Sequence, residues 1–310
     1  MATIDFEKML DKVKATQWAL ADVDWDAPGA ELVTGNPELY QKLKPFMADL
    51  MWIEHVGARA FAAMAKTAPT ETLREMYSYF HAEEQRHANA EMALMKRWGM
   101  LDGEDIPEPN INLRLVIEWL DTYADEMPFY VLGAVIPMLE IALDGALCQF
   151  LLDTVDDPVC HKAFDLINGD EARHLGVGFS VMEMTGYGKP LIKLVQMMGP
   201  AVDPRLIIGI LTYFPLLNKM RDNIVELGLP EEQLYKVMKK FEKIGGRSAA
   251  GRRNPWFQLI SWHSRQVVNR NNKLYHIPVD ALVKVTSFIP ARALPPVPAW
   301  VKELTYRPAA

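Results

Sequence analysis

Cysteine is nearly absent from this chain of 310 residues: Cys148 and Cys160 are the only two. That count excludes a disulfide framework and a thiolate-rich structural zinc site. The opening MATIDFEKML lacks the charged-then-apolar pattern of a secretory signal, so the expectation is a cytoplasmic protein. No stretch reads as a membrane span. The longest apolar run, Val131 to Leu152, approaches spanning length but carries Glu140 and Asp144 near its middle, where a lipid-facing carboxylate is costly. It reads instead as a buried helix bearing functional acids. Alternating, strand-like runs are scarce too, so a β architecture is excluded.

Half of the residues are apolar, enough to bury a large core. Apolar positions recur at helical spacing, which predicts an all-α fold. We place long helices near 36–66, 71–99, 112–154 (with a break around Met127-Pro128) and 157–186, and shorter ones near 5–20, 203–226, 230–244 and 254–272. Thr67-Ala-Pro-Thr interrupts the first long pair, and Asp156-Asp157-Pro158 supplies a cap with proline in the first turn. The expected division is an N-terminal helical extension over 1–35, a four-helix bundle over 36–186, and additional helices with a proline-rich tail over 187–310.

The net charge of −7 is uneven: residues 236–273 hold ten Lys or Arg against the single acid Glu242. With Trp256, Phe257 and Trp262 nearby, that segment invites nucleic-acid, anionic-membrane and acidic-partner readings. A solvated helical face is the simpler one, and no nucleic-acid partner is expected. The apolar run Leu206 to Leu217 leaves open a homodimer interface or a place beneath a lipid tail.

Two segments carry the chemistry: Glu83-Glu84-Gln85-Arg86-His87 and Asp170-Glu171-Ala172-Arg173-His174. On a helix, positions three apart share a face, so Glu84 with His87 and Glu171 with His174 can each offer an oxygen and a nitrogen to one metal. Either motif alone fits a solvated helix face. The lone acids change the reading, since Glu54 precedes Glu84 by 30 residues and Glu140 precedes Glu171 by 31. Ligands at equal depth in an antiparallel hairpin must be equidistant from its turn. The first midpoint is Pro69 and the second falls beside Asp156, both on expected loops. Two hairpins thus each bring a Glu and a Glu-x-x-His to one level, as in dimetal carboxylate bundles.

The glutamates Glu54, Glu84, Glu140 and Glu171 would sum to −4, prohibitive to bury unpaired, and two divalent ions cancel that charge. Carboxylate with imidazole suits iron first, and a manganese–iron pair second. Around these ligands Asp170 is expected to hold His87 and Glu83 to hold His174 across the bundle, with Arg86 and Arg173 balancing charge. His81 and Asp144, each one turn from a ligand, are further candidates for the surrounding layer. An ordinary packed histidine is the commoner role for His81.

The order Glu, Glu-x-x-His, Glu, Glu-x-x-His, with Asp-Glu-Ala-Arg-His-Leu at 170–175 and the helix from Tyr79 to His87, resembles the ferritin-like diiron carboxylate superfamily. Within it the likeness is to ribonucleotide reductase small-subunit-like proteins, including ligand-binding oxidases, and it covers roughly residues 45–185. The resemblance implies a ferritin-like bundle with two iron ions, dioxygen as co-substrate and an external electron donor, and hence an oxygenase or oxidase. Hydroxylation, desaturation and N-oxygenation of a small molecule, apolar or aromatic, are all compatible with it, and an electron-donor protein would be a partner. The alternative is a metal-binding or iron-storage protein without substrate turnover. Glu91 stands where radical-forming reductase subunits carry a tyrosine, which argues against a reductase role.

Overall fold

A computed structural model describes residues 4–101, 106–133, 136–137, 148, 151–184, 203–226 and 255–294, with isolated positions between 232 and 252. Among the described residues there are helices and no strands. The helices used below are α1 (Phe6–Ala15), α2 (Pro37–Thr67), α3 (Glu71–Arg97), α4 (Ile111–Tyr123), α5 (Pro158–Met184), α6 (Pro204–Glu226), α7 (Pro255–Val268) and α8 (Lys273–Ser287). A single helical turn, Glu31–Thr34, precedes α2.

Local chemistry sets the boundaries of the first hairpin. Asn36 caps α2 through its side chain, accepting from the Leu39 N–H, and Pro37 occupies the first turn where its missing donor is harmless. Thr70 caps α3 in the same way, accepting from Leu73. The three residues Ala68, Pro69 and Thr70 between them form the expected turn. α2 and α3 pack along their length through Phe46, Leu50, Phe61, Met64, Tyr77 and Phe80, all essentially inaccessible to water. Each such side chain contributes roughly 2 kcal/mol by burial.

The second hairpin turns at Asp157, whose carboxylate accepts from the Val159 N–H at 2.9 Å, from Arg97 at 2.8 Å and from the Trp98 indole at 2.8 Å. This one buried acid starts α5 and ties it to the end of α3. The break around Met127-Pro128 is present: α4 ends at Tyr123, a short 3₁₀ turn follows, and the described residues of 129–154 are helical. The expected helices at 230–244 and around Glu140 lie largely outside the described residues.

Two elements differ from expectation. α1 stops at Ala15 instead of Leu20, because Gln17 and Trp18 leave the helix to reach α3 and α5. α8 was unforeseen; it runs continuously from Lys273 to Ser287 with Pro278 inside, where the missing N–H removes one helical bond. The C-terminal helices join the rest through α4 and α6, where the Trp119 indole donates to the Arg205 carbonyl at 2.7 Å and Thr286 donates to Asn112 at 3.0 Å.

Burial holds two histidines neutral. His55, wholly inside α2, has its pKa lowered to about 4, and His263 on α7 has its pKa lowered to about 3, both by desolvation. A histidine whose folded pKa is depressed stabilises the fold above its ordinary pKa and loses that contribution as pH falls. For His55 the full difference is about 3 kcal/mol. Unfolding by denaturant at stepped pH should therefore show stability falling between about pH 6.5 and pH 4. His55→Leu should flatten part of that slope, and an unchanged slope would remove His55 as its source.

Candidate metal centre

α2, α3 and α5 bring Glu54, Glu84, His87 and Glu171 together in the bundle interior, with one ligand atom from each lying within 4.8 Å of the others. All of these residues are buried. His174 completes the described part of the group, its Nδ1 3.0 Å from Glu84 Oε1 and 3.3 Å from Glu171 Oε1. His87 Nδ1 stands 3.4 Å from Glu54 Oε2 and 3.2 Å from Glu171 Oε1. Glu140 and Asp144 lie outside the described residues.

The outer nitrogens are held by acids from the facing helix. His87 Nε2–H donates to Asp170 at 3.0 Å, and His174 Nε2–H donates to Glu83 at 2.8 Å. Each bond fixes the orientation of the ring and leaves Nδ1 facing the inner carboxylates. The arginines complete a near-symmetric belt: Arg86 lies 3.2 Å from Asp170 and 3.7 Å from Glu83, while Arg173 contacts Asp170 and reaches Glu83 at 3.2 Å.

Gln17 and Trp18 were not foreseen. The Gln17 amide donates to Glu83 at 2.5 Å, its oxygen accepts from Arg86 at 3.0 Å, and the Trp18 indole donates to Asp170 at 2.8 Å. Arg86 also stacks over the Trp18 ring at 4.8 Å. Nothing in the sequence links residues 17 and 18 to positions so distant in the chain. His81 faces elsewhere, its Nδ1 bonded to the Ala58 carbonyl at 2.8 Å.

The electrostatics separate two layers. Burial works against ionisation of Asp170, yet His87, Trp18 and Arg173 outweigh it and hold its pKa well below the carboxylate range. Glu83 is likewise lowered despite burial, through His174 and Arg173. Arg86 and Arg173 thus balance these two outer acids. Among the described residues no arginine reaches the inner layer: burial, then Glu171 and Glu54, push the Glu84 pKa well above normal. His87 and His174 are both raised well above normal, because their carboxylate neighbours outweigh desolvation.

Glu91 belongs to this inner layer. It lies one turn beyond His87, is fully buried, and has neither oxygen hydrogen-bonded. Burial and then Glu54 drive its pKa well above normal. The one-turn spacing from His87 was the sequence signal available for it.

A cation fits this arrangement. Both oxygens of Glu54 and of Glu171, one oxygen of Glu84 and Nδ1 of His87 are buried without a hydrogen bond, although such atoms are ordinarily satisfied. Gly57 makes room for the group, since a Cβ at that position would collide with the Glu84 carboxylate. Oxygen and imidazole donors without thiolate suit iron or manganese.

One solved structure is similar in fold: a variant of an R2-like ligand-binding oxidase with an anaerobically reconstituted Mn/Fe cofactor, aligned over 92% of this chain and 95% of that one, with a TM-score of 0.50 and 15% sequence identity. The fold is that of the ferritin-like, R2-type helical proteins. No model of a known protein family matches the chain, and no curated protein does. The ferritin-like frame accounts for α2, α3, the helical residues of 129–154 and α5 surrounding one buried polar core.

Two predictions follow from this geometry. Gly57→Ala should displace the Glu84 carboxylate and weaken metal binding by roughly tenfold or more at unchanged helix content, measured by metal titration and circular dichroism. Metal loading should also expel protons held on His87, His174, Glu84 and Glu91, so affinity falls as pH is lowered. Calorimetry in buffers of different ionisation enthalpy measures the proton count, and no buffer dependence would contradict this reading.

Proposed function

We propose that this protein is a dimetal oxidase or oxygenase that uses dioxygen to oxidise a small organic molecule. Its metal ligands in this reading are Glu54, Glu84, His87, Glu140, Glu171 and His174, carrying two iron ions or a manganese–iron pair. The observation that carries the proposal is the buried group of Glu54, Glu84, His87 and Glu171, three carboxylates and an imidazole whose ligand atoms lie within 4.8 Å of one another. When bound, such a metal pair supplies the redox chemistry with dioxygen, with electrons from an external donor.

The chain's own contribution is positioning and exclusion of water. Asp170 and Glu83 orient the two imidazoles, and Phe61 and Phe80 wall His174 at ring-centroid distances of 5.1 and 4.2 Å. A narrow crevice beside His174 is lined by Phe61, Met64, Tyr77 and Ile136, with Gly133 and Gly178 in its wall. Its largely apolar lining beside His174 is in keeping with an apolar or aromatic substrate group in this reading. The bundle of 36–186 carries the chemistry in this scheme and 187–310 packs on it as a cover or partner surface.

The test is metal content followed by turnover. Protein loaded with iron, or with iron and manganese, should hold about two metal ions per chain and consume oxygen after anaerobic reduction. Glu140→Ala, Glu171→Ala and His174→Ala should each lower metal content and abolish oxygen uptake while retaining helix content. Wild-type loading in these variants would sink the ligand assignment. Full loading without repeated oxygen uptake would favour metal storage.

A further inference from the structure

The helix α8 is apolar on two opposite faces. Tyr275, Val279 and Thr286 face inward and are buried. On the other side Leu274, Ile277, Val285 and Phe288 are 91, 67, 61 and 74% exposed, and Pro278 and Ala281 between them are exposed too. At roughly 100° per residue these outward positions fall within one stripe about a quarter of the circumference wide. Isolated exposed apolar residues need no explanation, but an aligned set on one helix does.

Charge identifies what the stripe meets. Lys273 and Lys284 are exposed on one flank of it, Asp280, the one acid on the helix, is exposed on that same flank one turn before Lys284, and Arg292 lies just beyond the helix end, which leaves the flank net positive. This positive flank belongs to a chain whose net charge is −7. Trp262, 42% exposed on α7, packs edge-on against Tyr275 at 6.0 Å, on the inward side of α8. A second copy of the chain would present the same positive flank to this one. An anionic lipid surface complements it.

We infer that α8 is a membrane-contact helix: Leu274, Ile277, Val285 and Phe288 enter the headgroup boundary of an anionic bilayer, and Lys273, Lys284 and Arg292 engage lipid phosphates. The helix lies in the plane of the surface. No helix among the described residues is long and apolar enough to cross a membrane, so the association is peripheral. This inference is independent of the metal centre.

Co-sedimentation of the full chain with vesicles tests it, comparing equal parts phosphatidylglycerol and phosphatidylcholine against phosphatidylcholine alone. Binding should require the anionic lipid and weaken with added salt. The triple substitution Leu274→Ser, Ile277→Ser and Phe288→Ser should reduce binding by about tenfold or more, with circular dichroism and metal content unchanged. A Lys273→Gln, Lys284→Gln variant keeps the stripe and should also bind more weakly. Absence of vesicle binding, or equal binding by the triple variant, would overturn the proposal. So would a concentration-dependent dimer abolished by the triple substitution, which would give the stripe to a second copy. Vesicle binding gained only when the chain is ended at residue 294 would give it to the chain's own last residues.

Discussion

Uncompensated negative charge inside the bundle is the constraint around which the rest of the protein is arranged. Glu54, Glu84, Glu91 and Glu171 are all buried, and carboxylates removed from water must find a cation, a proton or a donor. The two arginines nearby are committed elsewhere, to Asp170 and Glu83. This division of labour leaves the inner carboxylates to metal or protons. It also explains why His87 and His174 are drawn toward the protonated form in spite of complete burial.

Several features that look unrelated serve that arrangement. The caps at Asn36, Thr70 and Asp157 fix where each hairpin starts and turns, and a shift of one residue would rotate a ligand off the shared face. Gly57 leaves the space the Glu84 carboxylate occupies. Gln17 and Trp18 close the outer layer by bonding Glu83 and Asp170 directly, so the N-terminal segment becomes part of the support for the imidazoles. Aromatic packing by Phe61 and Phe80 keeps the interior dry, which strengthens every charge interaction within it.

The C-terminal helices answer a different requirement. α6 and α8 pack on α4, and Gly209 lets the α6 backbone approach the Trp119 ring. Arg221 is buried among them, donating to the Val267 carbonyl at 3.0 Å and to Asp222 at 2.6 Å. Arg265 and Arg270, from the basic segment, pair with Glu242 and Asp222, so part of that segment's charge is used internally. The outward stripe of α8, together with Ile207, Ile208 and Leu211 on α6, leaves apolar surface of this layer facing solvent.

Much of the centre was legible because helical periodicity and loop spacing obey simple geometry. A Glu and a Glu-x-x-His equidistant from a turn must meet at one depth, so the meeting of Glu54 with Glu84 and His87 follows from residue numbers alone. The crossing of Asp170 to His87 and Glu83 to His174 follows from the same near-symmetry. The sequence also sufficed for the all-α class, since hydrophobic spacing is local. Other features depended on contacts between residues far apart in the chain: the attachment of Gln17 and Trp18, the complete burial of Glu91 and the room provided by Gly57. α8 went unread from the sequence, and Pro278 is tolerated inside it because neighbouring helices hold the element in place. Periodicity specifies which residues share a face; only tertiary packing decides which faces lose water, and loss of water is what turns a row of acids into a candidate cation site.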